Sequence, residues 1–113
     1  MTEPSSPGGV KQMSARDLQA LRTSGARFEL LDVRTTGERA IAHIEGARLL
    51  DRPTAQALEK LPRETPLVFQ CHHGVRSQAA AQHFVALGFT DVSNLVGGIE
   101  AWSLEVDPSV PRY

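Results

Sequence analysis

The chain has 113 residues, a length that fits one domain built around a single hydrophobic core. Hydrophobic residues make up 41% and charged residues 22%, which is typical of an ordinary globular protein. Lys and Arg number 12 against 13 Asp and Glu, so the charge gives no indication of nucleic-acid binding. No apolar run approaches the ~18 residues that a membrane-spanning helix requires.

The compartment is predicted from the first residues and from the cysteine count. The sequence MTEPSSPGGV lacks the basic start and the apolar core of a signal peptide, so secretion is not expected. Cys71 is the only cysteine, which excludes a disulfide within the chain. A lone thiol stays free in a reducing compartment, so we expect a cytoplasmic protein. A small domain without an evident apolar surface patch is expected to be a monomer.

The first half of the chain alternates between helical and strand patterns. Ser14, with Asp17 three positions later, predicts a capped helix that Gly25 ends. Residues 27–33 (RFELLDV) are short, apolar and without helical spacing, which predicts a buried strand. Three further elements are predicted: a helical turn capped by Thr35 or Thr36, a short strand over residues 47–50, and a helix with Pro53 in its first turn.

The second half of the chain continues the same alternation. The segment TPLVFQC predicts a strand that runs directly into Cys71, and residues 77–87 predict a helix that Gly88 ends. DVSNLVGG predicts another strand, and GIEAWSLE predicts a closing helix. Strands that alternate with helices indicate an α/β domain with a mainly parallel sheet.

The N-terminal end of the chain is rich in Pro, Ser and Gly, and the C-terminal end carries two prolines. Residues 1–9 predict a flexible leader, and residues 10–113 predict the folded domain with a Pro-containing C-terminal tail. Two prolines in EVDPSVPRY prevent the last helix from continuing beyond Asp107. The tail can dock on the domain or on a partner, and the sequence does not decide between the two.

The segment CHHGVRS carries the strongest chemical signal. Cys71 is predicted where a buried strand ends and a helix begins, at the edge where ligands bind in open α/β sheets. Gly74 permits a left-handed turn, and the following helix presents its positive N-terminal end. Arg76 adds a permanent cation. Backbone N–H groups of such a loop stabilise an anion, and a cysteine thiolate is the reactive nucleophile.

In two alternatives Cys71 is not a nucleophile, and in a third its thiolate attacks a phosphate group. A free cysteine is often simply buried in the core. Metal binding by Cys71, His72 and His73 is disfavoured, because three successive residues rarely converge on one ion. Cysteine-dependent phosphatases place five residues between Cys and Arg, whereas four stand between Cys71 and Arg76. A shorter loop forms a smaller cup, which suits a single sulfur atom better than a phosphate.

Three segments of the chain resemble the rhodanese-like sulfurtransferase family. CHHGVRS resembles the active-site pattern C-x-x-G-x-R-S, LLDVRTTGERAIAHIEGA resembles an upstream D-V-R, E and H-I-x-G-A, and LVGGIEAW resembles the closing G-G-I-x-A-W. They occur in the family's order and span residues 30–102. The chain departs from the pattern at Arg39, where an aromatic residue is common, and at Ala42, where Gly is common.

The resemblance implies a fold and an activity. The fold is an α/β rhodanese-like domain with a mainly parallel five-stranded sheet flanked by helices on both faces. The activity is transfer of a sulfane sulfur, from thiosulfate or a persulfide donor that is small or protein-borne, to a thiol or cyanide through a persulfide on Cys71. No cofactor, metal, nucleic acid or membrane is implied. The active-site loop comprises His72, His73, Gly74, Val75, Arg76 and Ser77.

Residues outside the loop have more modest expected roles. By analogy with the family, Arg34 and Glu38 form a structural ion pair, or Arg34 borders the substrate entrance near Asp32. His43 is expected to hydrogen-bond a loop and His83 to lie on the surface. His72 and His73 are expected to point outward and shape the rim. Trp102 is expected to pack in the core.

Two other functions remain open at this point. The fold could serve as a module that binds a partner while Cys71 stays idle. Alternatively, the loop could carry phosphatase or arsenate reductase chemistry, which its length disfavours.

Overall fold

A computed structural model of the protein describes residues 9–113, which form five strands and five helices. The strands are β1 (Lys11–Met13), β2 (Glu29–Asp32), β3 (Arg48–Leu49), β4 (Leu67–Gln70) and β5 (Val92–Leu95). The helices are α1 (Ala15–Thr23), α2 (Thr36–Ile41), α3 (Arg52–Glu59), α4 (Val75–Ala86) and α5 (Gly98–Glu105). The predicted flexible leader, except for Gly9, lies outside the described residues.

The five strands form one sheet in the order β1-β5-β4-β2-β3, and every pair is parallel. One face is covered by a core cluster that includes Leu18 of α1 and Trp102 of α5. The other face is covered by a second cluster that includes Leu58 of α3 and Phe84 of α4. The predicted α/β architecture, with a parallel five-stranded sheet and helices on both faces, is therefore confirmed.

The central strand β4 fixes the position of the site. All four of its residues are buried, because it pairs with β2 on one side and β5 on the other. Three of these four residues (Leu67, Val68 and Phe69) are apolar, which is typical of a parallel strand that helices cover on both faces. Its carboxyl end passes directly into Cys71, as the sequence predicts.

Local capping signals mostly predict the helices correctly. Ser14 and Asp17 form the reciprocal capping box of α1, and Thr35 caps α2 in the same way with Glu38. Helix α4 begins at Val75, two residues before the predicted start, because Gly74 takes the N-cap position with a φ of 101°.

Strand β1 was not predicted from the local pattern. It is only three residues long, which is too short to show an alternation of apolar and polar residues, and Met13 looks like the start of the helix that follows. Its pairing with the edge of β5 makes it a strand.

The C-terminal tail docks on the domain. Val110 is buried in the cluster that contains Trp102, and its carbonyl oxygen accepts a hydrogen bond of 2.7 Å from Ser103 Oγ. Docking on the domain is one of the two alternatives that the sequence left open. Within residues 9–113, no helix combines the length and the apolar character needed to cross a membrane.

Candidate active site

Cys71 lies at the bottom of a loop that joins β4 to α4. The residue is 1% exposed, and its carbonyl oxygen accepts a hydrogen bond of 2.8 Å from the backbone N–H of Ile99. The next carbonyl, that of His72, accepts from the N–H of Glu100 at 3.2 Å. The first turn of α5 therefore anchors the start of the loop through N–H groups that have no partner within the helix.

The remainder of the loop directs hydrogen-bond donors at the sulfur. The backbone N–H of Gly74 lies 3.1 Å from Cys71 Sγ, and the backbone N–H of Ser77 lies 3.4 Å away. The Ser77 hydroxyl oxygen lies 3.2 Å from the same sulfur. All these donors come from the loop and the first turn of α4, whose N-terminal end carries partial positive charge.

These contacts oppose the effect of burial on the thiol. Burial raises the pKa of Cys71, since it disfavours the charged thiolate. The hydrogen bonds from Ser77 and from the backbone of Gly74 and His73 act in the opposite direction and prevail. The pKa of Cys71 therefore lies below its ordinary value, which favours the thiolate.

Gly74 is necessary for this loop geometry. Its φ of 101° lies in the left-handed region, as the sequence predicts, and a Cβ atom there would lie 3.2 Å from the carbonyl oxygen of Leu95. The carbonyl of Gly74 accepts a hydrogen bond of 3.1 Å from Asn94 Nδ2. Sequence reasoning missed Asn94, although a buried amide next to the carboxyl end of β4 is the type of residue that orders a loop.

The hydroxyl of Ser77 has two acceptors for its single proton. Ser77 Oγ lies 2.5 Å from Asn94 Oδ1 and 3.2 Å from Cys71 Sγ. The Asn94 amide nitrogen donates to Gly74 and Gln12, so its oxygen faces Ser77. When Cys71 is a neutral thiol, the Ser77 hydroxyl can therefore donate to Asn94 Oδ1. When Cys71 is a thiolate, the same hydroxyl can donate to the sulfur.

Arg76 is paired with Glu38. Its two terminal nitrogens lie 2.6 and 2.9 Å from the two carboxylate oxygens, which is a bidentate contact between α4 and α2. The Arg76 guanidinium, followed by smaller contributions from Tyr113 and Thr35, holds the pKa of Glu38 far below its ordinary value. The Arg76 side chain thus braces the loop against α2.

The predicted ion pair between Arg34 and Glu38 is wrong. Arg34 instead forms a buried bidentate pair with Asp32, at 2.8 Å for both contacts, and donates to the Ala42 carbonyl at 2.7 Å. Asp32 has a second cation at 3.3 Å, Arg39. A fully buried carboxylate requires such partners, and the adjacent Arg34 reaches it better than it reaches Glu38. Arg34 is 8% exposed and so does not line an open entrance.

The histidines occupy different environments. His73 is exposed, whereas His72 is half-buried and stacks on the Tyr113 ring with 3.9 Å between centroids. His43 and His83 are exposed; the hydrogen bond predicted for His43 is not seen within residues 9–113. Val75 is 78% exposed on the rim, and Trp102 is buried as predicted. No group of three or more possible metal ligands occurs among the described residues.

A second glycine allows the loop and α5 to meet. Gly98 has a φ of 59°, and a Cβ atom at this position would overlap the carbonyl oxygens of Cys71 and His72. The GG in LVGG belongs to the segment that resembles the family pattern, but sequence alone does not show that it borders the loop around Cys71.

Comparison with known proteins agrees with this geometry. The family profile for the Rhodanese-like domain matches residues 14–105. The thiosulfate sulfurtransferase GlpE of Pseudomonas aeruginosa PAO1 is 36% identical over 93 residues, which is 81% of this chain and 83% of GlpE. The probable adenylyltransferase/sulfurtransferase MoeZ of Mycobacterium tuberculosis CDC 1551 is 36% identical over 104 residues, which is 89% of this chain but 26% of MoeZ.

Solved structures share the fold. A rhodanese-like domain protein from Staphylococcus aureus aligns over 92% of this chain and 99% of its own, with a TM-score of 0.73 and 26% identity. A rhodanese-related protein from Thermoplasma volcanium aligns over 91% of this chain and 99% of its own, with a TM-score of 0.71 and 27% identity. From the profile match, the relatives and the loop around Cys71, the chain belongs to the rhodanese-like domain family.

Proposed function

We propose that the protein is a sulfurtransferase that moves a sulfane sulfur from thiosulfate or a persulfide donor to a thiol or cyanide, through a persulfide on Cys71. The observation that carries the proposal is the convergence of Gly74 N–H, Ser77 N–H and Ser77 Oγ on one sulfur. Donors arranged in advance around a developing anion are the main source of electrostatic catalysis.

In the first step, the Cys71 thiolate attacks the outer sulfur of the donor. With thiosulfate, a bond forms between Cys71 Sγ and that sulfur, while the bond to the sulfonate breaks and its electron pair leaves with sulfite. The product is a persulfide whose outer sulfur carries the negative charge. The N–H groups of the loop then donate to the persulfide.

In the second step, an acceptor anion attacks the outer sulfur. Cyanide leaves as thiocyanate, or a thiolate leaves as a new persulfide, and the electron pair of the broken bond returns to Cys71. No net oxidant or reductant is consumed. Because donor and acceptor react in separate steps, ping-pong kinetics follow.

Arg76 supports the reaction as part of the loop framework. Its bidentate contact with Glu38 occupies the guanidinium, which favours a loop-orienting role over direct contact with an anionic donor. His73 and Val75 are exposed around Cys71 and line the rim that a donor or acceptor meets.

Two further observations support sulfur transfer. The relatives named thiosulfate sulfurtransferase share 36% identity over most of both chains. The loop holds four residues between Cys71 and Arg76, one fewer than a phosphatase loop. For the compartment, we propose the cytoplasm, because an unpaired nucleophilic thiol persists in a reducing environment.

A steady-state assay tests the proposal. Thiocyanate formation from thiosulfate and cyanide should give parallel double-reciprocal lines, and Cys71→Ser should reduce the rate to background. An aryl phosphate ester supplied to the same preparation should release no phosphate. Phosphate release without thiocyanate formation would replace the proposal with phosphatase chemistry.

A further inference from the structure

The C-terminal tail brings Tyr113 to the active-site loop. Val110 is buried in the core, and its carbonyl accepts a hydrogen bond from Ser103. Arg112 is held by Glu100 of α5 through contacts of 2.7 and 3.1 Å. Since the tail is fixed on both sides of Pro111, the Tyr113 side chain has a defined position beside the loop.

The Tyr113 hydroxyl joins two ion pairs. Arg34 Nη1 donates to this oxygen at 2.9 Å, and the hydroxyl donates to Glu38 Oε2 at 2.7 Å. The direction is fixed by chemistry, because a guanidinium can only donate and a carboxylate can only accept. A continuous chain of contacts therefore runs from the buried Asp32–Arg34 pair through Tyr113 to the Glu38–Arg76 pair.

The Tyr113 ring makes a separate contact with the start of the loop. It stacks on His72 at a centroid distance of 3.9 Å and an interplanar angle of 12°. His72 in turn stacks on His73, also at 3.9 Å. Tyr113 thus touches the loop directly at His72 and indirectly, through Glu38, at Arg76, and these two residues lie on either side of Gly74.

The Glu38–Arg76 pair needs such support. The side chains of Arg76 and Glu38 are 45% and 19% exposed, and a partly exposed ion pair by itself holds its two side chains weakly. The Arg34 side chain that holds Tyr113 is fully buried. Tyr113 consequently ties the exposed pair to a rigid point in the domain.

We propose that Tyr113 is a positioning residue for Cys71: its hydroxyl fixes Glu38, which fixes Arg76 and the loop donors around the sulfur. The catalytic consequence of this role rests on the proposed function: a loop held in this way presents a more reactive Cys71 thiolate to the sulfur donor. Arg76 and the donor Ser77 are neighbours in the first turn of α4, so displacing Arg76 moves the hydrogen-bond donors that stabilise the thiolate.

The test measures the reactivity of Cys71 without any sulfur donor. The rate of Cys71 alkylation by iodoacetamide is followed from about pH 5 to pH 9 in the wild type and in Tyr113→Phe. This substitution keeps the ring on His72 and removes both hydroxyl contacts. In Tyr113→Phe we expect the midpoint of the alkylation rate plotted against pH to move to higher pH. Below that midpoint, alkylation should slow about three- to tenfold.

Two further variants make the result specific. Ser109→Ala removes a hydrogen bond to Asp107 within the tail and leaves Tyr113 in place, so its alkylation profile should match the wild type. In a Glu38→Gln background, Tyr113→Phe should slow Cys71 alkylation much less than it does in the wild type, because both changes break the same chain of contacts. Full additivity would overturn the proposal.

The outcomes separate this inference from the proposed function. An unchanged alkylation profile in Tyr113→Phe, or a midpoint moved to lower pH, would overturn the positioning role even if sulfur transfer is active. A lower melting temperature with an unchanged profile would reduce Tyr113 to a structural residue and overturn the proposal equally. If the wild type accepts no sulfur, only the proposed function fails, because the alkylation comparison requires no donor.

Discussion

Glu38 of α2 binds Arg76 in the first turn of α4 through two parallel hydrogen bonds of 2.6 and 2.9 Å. The two residues stand 38 positions apart in the chain. This contact connects the upstream segment of the domain to the loop that surrounds Cys71. It therefore makes the order of the active-site loop depend on a residue outside it.

Glu38→Gln should destabilise the protein in a pH-dependent manner. Because the pKa of Glu38 lies below its ordinary value of 4.5, the folded state binds this proton less readily than the unfolded state. The stabilisation is thus fully present above about pH 4.5 and is lost as the pH falls further. Urea titration should show a loss of about 1 kcal/mol in the free energy of unfolding at neutral pH, shrinking in acid.

The control for Glu38→Gln is Glu64→Gln. Glu64 is exposed and has no ion-pair partner within residues 9–113, so its replacement should change the free energy of unfolding little. Equal losses for Glu38→Gln at neutral and at acidic pH would contradict the contribution of the ion pair.

Arg76→Ala should lower sulfur transfer about ten- to hundredfold, because the loop loses its brace on α2. Arg76→Lys should recover only part of the rate, since an ammonium group cannot reproduce the bidentate contact with Glu38. Thiocyanate formation measures both variants, and circular dichroism checks that they fold. A wild-type rate in Arg76→Ala would refute the role of this residue.

Ser77→Ala should make Cys71 less reactive. The substitution removes a donor 3.2 Å from the sulfur and leaves Asn94 Oδ1 without its partner. Loss of a hydrogen bond to an ionised group should slow alkylation at pH 6.5 by about five- to tenfold. The midpoint of the alkylation profile should move to higher pH; a midpoint at or below that of the wild type would show that Ser77 serves Asn94 alone.

Gly74→Ala should damage both the loop and the activity. A non-glycine residue with a φ near the observed 101° is strained, at a cost of about 1–3 kcal/mol. Its Cβ would also approach the Leu95 carbonyl oxygen at 3.2 Å. Gly74→Val should be worse still, because a β-branched residue tolerates positive φ poorly.

Gly37→Ala is the matched control for Gly74. Gly37 lies in α2 without a positive φ, and a Cβ there meets nothing closer than Thr35 Oγ1 at 3.9 Å. Alanine favours the helix over glycine, so this variant should be as stable as the wild type or more so. If the melting temperatures of both variants match the wild type, the strain assigned to Gly74 is absent.

The sequence predicted the parts of the site that depend on local signals. An apolar strand, a glycine and a helix pattern follow one another over residues 67–86, so the position of Cys71 at the edge of the sheet could be inferred. The same is true of the capping box at Ser14 and of the left-handed Gly74.

The contacts that brace the loop could not be predicted in the same way. Glu38 and Tyr113 are separated from it by many residues, and their partners are decided by how α2 and the tail pack on the sheet. The prediction that Arg34 pairs with Glu38 failed for this reason: the buried Asp32 carboxylate needs a cation, and Arg34 pairs with it instead of with Glu38. Asn94 was missed because it lies on β5, which meets the loop only in the folded sheet.

The proposed sulfur transfer requires that Cys71 carries the transferred sulfur. The most direct measurement is the intact mass of the wild type and of Cys71→Ser after incubation with thiosulfate, and separately with a persulfide donor, in the absence of reductant. A persulfide on Cys71 should add the mass of one sulfur atom to the wild type only, and cyanide should remove it. Absence of added sulfur with both donors, in a folded protein whose Cys71 can still be alkylated, would contradict the proposed sulfur transfer.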